Sequence, residues 1–262
     1  MENRIKPVHE DSKMPNLLVA PDFPPEHFGG WHVFNTALQR CTNNPIHLLT
    51  PSSADEMHKM LNDGIVDMIY ANPFDAAMLV REKGFLPVAK PLKNPDEMVI
   101  AAAETSGLKK ITDLKKGMKI AITNNKDVKL IGLRLLEAAD LANDDLEWVD
   151  VPSFQSAARM VIQGKVDAAF FVASSYHSLS ELTKKQMSKL IESHIRDITH
   201  VILIHSQHQA DWLAPIKEVV VNMVNDESGK RVLSELNMPD GFVEFTQEEA
   251  EFMIDLIDTL LD

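Results

Sequence analysis

The sequence predicts an α/β protein built as two βαβ-type lobes joined by a two-strand hinge. Three observations carry that expectation. One phrase occurs twice: Gly64-Ile65-Val66-Asp67-Met68-Ile69-Tyr70 is echoed by Gly164-Lys165-Val166-Asp167-Ala168-Ala169-Phe170, with Asn43 and Asn143, Ser53 and Ser153, and Met60 and Met160 matched upstream. A self-similarity of this length signals two related halves. Apolar strand-like runs alternate with helical patterns over short links, which calls for a parallel or mostly parallel sheet covered on both faces. Two extended apolar segments, Met98–Ala103 and Val201–Ile204, read as the places where the chain crosses between lobes. The expected division is a flexible N-terminal segment 1–15, a first lobe of 16–100 plus 203–262, and a second lobe of 101–202.

In chain order, residues 16–20 form a first apolar strand, and a loop rich in turn formers follows from Pro21 to Gly30. A helix is expected from Trp31 to Cys41 and a strand from Pro45 to Leu49. Ser53 with Glu56 three residues on is a capping box, and Gly64 closes that helix before the strand from Val66 to Tyr70. Asn72-Pro73 then opens a helix through Lys83, with proline tolerated in the first turn. The pattern restarts after Ala103. A helical turn at 112–117, a strand at 119–122, a loop at 123–127 and a helix at 128–141 lead to a strand at 146–151. Ser153 starts a helix that Gly164 ends, a strand covers 166–172, and Ser174-Ser175-Tyr176 opens a further helix. After the second crossing come two helices, 211–225 and 247–261, the latter with Thr246 and Glu249 as a capping box and Ala250, Met253, Ile254, Ile257 and Leu261 along one side.

Composition narrows the function. The chain has 262 residues, 45% of them hydrophobic and 25% charged, and a formal net charge of −13. That charge speaks against a nucleic-acid partner, which needs clustered Lys and Arg. No stretch is long and apolar enough for membrane insertion. A lone Cys41 excludes an internal disulfide and reads as a small core residue on its helix. The first fifteen residues are polar, without the apolar core of a secretory signal, so the expected location is cytoplasmic, or periplasmic if the chain is a trimmed mature form.

In an open α/β sheet, ligands sit beyond the carboxyl ends of the strands. The loops expected there are 21–30 and 70–75 in the first lobe, and 123–127, 151–156 and 173–176 in the second. They supply the candidate ligand-binding residues Asp22, Trp31, Tyr70 and Asn72 from one lobe. From the other come Thr123, Asn124, Asn125, Lys126, Ser153, Phe154, Gln155, Ser174 and Ser175. Helix N-termini at 72, 153 and 174 present free N–H groups and the positive dipole end, which favour a small anion. Ser153 and Ser174 also suffice as plain helix caps, and Trp31 reads equally as a pocket wall or as packing beneath its loop. No metal is expected, because neither His27 with His32 nor His205 with His208 has the Cys or carboxylate partners a tetrahedral site needs. No cofactor motif or nucleophile elbow is present.

The run from Gly64 to Asp75, the stretch Asp113-Leu-Lys-Lys-Gly-Met-Lys-Ile-Ala121 and Gly164-Lys-Val-Asp-Ala168 resemble the phosphate/phosphite/phosphonate-binding proteins of ABC transporters, over residues 15–250. The resemblance implies a type 2 periplasmic-binding fold, a hinged receptor that closes on a small solute without catalysis, and a permease or signalling partner. It also implies a lobe-one tyrosine, matched here by Tyr70. Two positions depart from the family pattern: the serine-rich loop is Thr123-Asn124-Asn125-Lys126-Asp127, and the usual histidine is Phe154. Lys126 is the replacement cation, and simple alkylphosphonates are expected to bind weakly. The expected function is therefore a solute-binding protein for ABC-type uptake or ligand sensing. The alternatives are an enzyme on the same fold, with Asp22, His27 or Lys126 as its chemical groups, and a protein-interaction module with a degenerate cleft.

Overall fold

The computed structural model describes residues 14–21, 28–93, 97–123, 126–194 and 198–261. The chain forms two compact units, one of Met1–Pro95 with Thr199–Ile257, the other of Asp96–Ile198 with Asp258–Asp262. The expected N-terminal segment lies outside the described residues, apart from its last two positions.

The first unit is laid down as β1 (Asn16–Val19), α1 (Phe28–Thr42), β2 (His47–Leu49), α2 (Ala54–Asn62), β3 (Met68–Ala71), α3 (Pro73–Glu82) and β4 (Phe85–Pro91). The second unit follows with β5 (Met98–Ala103), β6 (Lys119–Ile122), α4 (Lys126–Leu136), β7 (Glu147–Asp150), α5 (Phe154–Ile162), β8 (Ala168–Val172), α6 (Ala173–Ser178), α7 (Glu181–Lys184) and β9 (Met187–Glu192). The chain then returns as β10 (Val201–His205), α8 (Ala214–Asn222), α9 (Glu227–Glu235), β11 (Phe242–Glu244) and α10 (Gln247–Leu261).

Each unit has its own sheet, in the order β11-β4-β10-β3-β1-β2 and β7-β6-β8-β5-β9. The two share one plan. A parallel trio, β2-β1-β3 or β7-β6-β8, is extended by an antiparallel strand, β10 or β5, that comes from the other side of a chain crossing. Met98–Ala103 and Val201–Ile204 are therefore inner strands of the sheets, not links between them. They are apolar because both faces are buried. An isolated run of that kind carries no signal of its direction or its sheet.

The repeat is structural as well as textual. Ser53 and Ser153 each accept from the backbone N–H three residues on, at 3.2 Å, and Gly64 and Gly164 both adopt a left-handed φ of 65°. A residue with a Cβ would be strained at either glycine. Asp67 and Asp167 then do the same work in their units. The backbone N–H of Asp67 donates to Asn16 O at 3.1 Å while its carboxylate accepts from Asn16 N–H at 2.8 Å. Asp167 repeats this with Lys119, at 2.8 and 2.7 Å. The Val-Asp dipeptide thus locks the entry of one parallel strand to the start of its neighbour. Asn43 and Asn143 do not share a role: Asn43 has a φ of 52°, whereas Asn143 begins a 3-10 turn.

Helix α1 starts at Phe28, three residues ahead of the expected start, so Gly29 and Gly30 are helical rather than loop. Gly30 is required by close packing. A Cβ there would lie 2.3 Å from the carbonyl oxygen of Glu235 at the end of α9. Trp31, Phe34 and Leu38 face the core of the first unit with Leu17, Val19, Met68 and Ile202. Cys41 is exposed, against the expectation of a core position. One capping box forms as read and the other in part. Thr246 and Glu249 exchange bonds, but the Glu56 carboxylate reaches Ser52 at 2.7 Å instead of the Ser53 N–H.

Candidate functional site

In the first unit, β1 and β3 end side by side, with Ala20 N–H donating to Tyr70 O at 3.0 Å. Tyr70 is only 2% exposed, with its ring 4.5 Å from that of Trp31 and stacked on His200 at 5.3 Å. Trp31 is equally buried and meets Phe34 edge-on at 5.3 Å. Trp31 packs against the Tyr70 ring within the core of the first unit. Asn72 caps α3: its Oδ1 accepts from Asp75 N–H at 2.8 Å and its Nδ2 donates to Asp75 Oδ2 at 2.7 Å. His58 Nε2 lies 3.1 Å from the other Asp75 oxygen. The Asp75 carboxylate therefore occupies the positive end of α3, where Pro73 brings no N–H. Sequence reading missed Asp75 and His58 as the groups that set the charge at this end of the helix. An acidic residue in the first helical turn was the available signal.

In the second unit, α5 starts without an acidic residue in its first turn. Strands β6 and β7 end together, Val151 N–H donating to Ile122 O at 2.9 Å, so Thr123 and the Pro152–Ser153 entry to α5 leave the sheet at the same end. The Thr123 hydroxyl oxygen is buried and has no hydrogen-bond partner among the described residues. Ser153 caps α5, and its hydroxyl also donates to Ser156 Oγ at 3.1 Å. Phe154 is half-buried with its ring 6.0 Å from Phe171, and Gln155 is exposed. A buried hydroxyl without a partner among the described residues, at the sheet end where an acid-free helix begins, suits an oxyanion, which needs donors and a positive field.

The remaining expected residues are divided. Asp22, Asn124 and Asn125, and the alternative candidate His27, lie outside the described residues, as does the side chain of Lys126. The backbone of Lys126 begins α4, where a loop was expected. Ser174 does not cap α6. That helix starts at Ala173 after Val172 without a side-chain cap, Ser174 is exposed, and the Ser175 carbonyl accepts from Ser178 Oγ at 2.9 Å. Nearby Tyr176 is buried, and burial together with the charge of Glu192 pushes its phenol pKa up, so it stays a donor. Among the described residues no group of three His, Cys, Asp or Glu side chains could hold a metal.

Two sheets, each a parallel trio extended by an antiparallel strand from across a crossing, define the type 2 periplasmic-binding fold. The family model for the phosphonate periplasmic substrate-binding protein of ABC transporters matches residues 17–250, and the chain belongs to that family. PhnD1 of Prochlorococcus marinus, solved in complex with methylphosphonate, superimposes with a TM-score of 0.78 at 11% identity, covering 95% of this chain and 98% of that one. A binding protein component of an ABC phosphonate transporter from Pseudomonas aeruginosa gives 0.76 at 12% identity, over 95% and 87% of the two chains. The periplasmic aliphatic sulphonate binding protein of Escherichia coli gives 0.67 at 16%, over 95% and 88%. A search of curated sequences finds no match. The protein is thus a substrate-binding protein of the ABC-transporter type, in a family of transport components rather than enzymes. That family is periplasmic, and the cytoplasmic expectation finds no support in it. No helix among the described residues is long and apolar enough to cross a membrane.

Proposed function

We propose that the protein captures a small oxyanion of the phosphonate or sulfonate class by closing its two units on it, and presents it to an ABC permease for uptake. The observation that carries this reading is the buried Thr123 hydroxyl, without a partner among the described residues, at the sheet end where the acid-free N-terminus of α5 begins. Thr123, Ser153 and the first N–H groups of α5 are its anion donors, with Lys126 as the candidate cation read from the sequence. Membership of the phosphonate-binding family supports the ligand class, as do relatives solved with methylphosphonate or named for sulphonates. On the first unit, Tyr70 and Asn72 are the proposed contacts. The Asp75 carboxylate beside Asn72 disfavours a second negative charge there, so the anionic group belongs to the second unit and the rest of the solute to the first.

Isothermal titration calorimetry with methylphosphonate, phosphate, ethanesulfonate and the neutral control acetamide tests this. At least one oxyanion should give saturable binding and acetamide none. Methylphosphonate should bind more weakly than about 1 μM, or ~8 kcal/mol, because the serine-rich loop and the histidine of the family pattern are replaced. Tighter methylphosphonate binding would show those replacements to be inconsequential. Silence from every oxyanion would overturn the reading.

A further inference from the structure

A groove runs along the second unit between α5 and the α6–α7 segment, with a volume of about 410 Å³, within the range of small-molecule sites. One wall is a single stripe of α5, with Gln155, Arg159 and Gln163 at its rim, spanning about 12 Å of helix. The facing wall carries Ser178, Ser180 and Thr183. The floor is apolar: Ala158 and Leu179 are buried, and Ile162 is half-buried.

The charges of this groove stand out in a chain of net −13. Among the described residues no carboxylate lines it, and Arg159 is the one charged residue of its lining. Among the described residues the Arg159 guanidinium has no ion pair or side-chain hydrogen bond. The nearby Lys184 ammonium, by contrast, is taken up by Glu181 at 2.6 Å and the His177 carbonyl at 3.0 Å. The Ser180 and Thr183 hydroxyls already pair with each other at 2.8 Å, and the Ser178 hydroxyl with Ser175 O, so the rim offers two glutamine amides and one fork of guanidinium donors. Guanidinium binds a planar carboxylate through two parallel N–H···O bonds, and an apolar floor beneath rewards a short hydrocarbon body.

We infer that this groove is an accessory site for a small monocarboxylate with a short aliphatic chain, its carboxylate on Arg159 and its chain along Ala158, Ile162 and Leu179. Gln155 adjoins the α5 N-terminus assigned above to the oxyanion, so the test is read on residues from Ala158 onward, which have no part in that assignment.

The test is a titration of the full-length, nitrogen-15-labelled protein with sodium hexanoate, followed by amide NMR, with hexanamide as the neutral control. Hexanoate should shift resonances of residues 158–163 and 178–183 saturably, and hexanamide should not. Arg159→Gln should weaken hexanoate about tenfold or more, as expected for loss of a charge-assisted bidentate contact, while the spectrum without hexanoate stays that of the folded parent. Arg159→Lys, which keeps the charge but not the fork, should fall between. Shifts centred elsewhere, equal binding of hexanamide, or hexanoate binding unchanged by Arg159→Gln would each overturn the assignment, as would no shift at all.

Discussion

Asp67→Ala should lower the unfolding free energy by about 2–4 kcal/mol, and Asp167→Ala by only about 1 kcal/mol. The two residues hold equivalent places in the repeat, but their surroundings differ. Asp67 is 8% exposed, and its carboxylate accepts from Asn16 N–H at 2.8 Å and Gln207 Nε2 at 3.0 Å, with His208 Nε2 at 2.7 Å. Truncating it strands a buried N–H and unties the turn after β10 from the entry of β3. Asp167 has the Lys119 N–H as its counterpart contact, on an exposed strand end that water can satisfy. Equilibrium urea unfolding of the two variants compares them directly. Equal losses would mean that the Gln207 and His208 contacts add nothing.

Ser153→Asp should abolish oxyanion binding, by about a hundredfold or more, while leaving the fold as stable as the parent. Aspartate caps a helix as well as serine does, and a carboxylate at the N-terminus gains about 0.3–1 kcal/mol from the dipole. The same carboxylate placed among the proposed anion donors repels the ligand and takes up the N–H groups that would hold it. Ser53→Asp is the matched control, because α2 already carries Asp55 and Glu56 in its first turn and has no assigned part in anion binding. Calorimetry and thermal unfolding on both variants separate the effects. Retained binding in Ser153→Asp, with a folded protein, would move the anion away from α5.

The parts of the fold that were legible in the sequence are those with local signatures. Ser53, Gly64, Ser153 and Gly164 mark helix ends through capping chemistry that needs no tertiary partner, and the repeated Val-Asp marks the strand that follows. The strands that went unread lack such marks. In β4, Pro87 and Pro91 argue against a strand from sequence alone, and Pro87 is accommodated beside a register shift in the pairing with β10. Helix α9 was hidden by Gly229, which is there because a Cβ would collide with the Met223 carbonyl at 1.8 Å. The candidate site was half legible. Thr123 and Ser153 follow from strand-end geometry, which short links preserve. The partnership of Asp67 with His208 spans 141 residues, and that of Asp75 with His58 joins two helices, so neither leaves a trace in local spacing.

The proposed uptake depends on the two units closing on an oxyanion. Small-angle X-ray scattering of the full chain, alone and with saturating methylphosphonate or ethanesulfonate, measures closure directly. Closure predicts a smaller radius of gyration with whichever anion binds by calorimetry, and no change in Ser153→Asp at the same concentration. A bound anion that leaves the radius of the parent unchanged would contradict it.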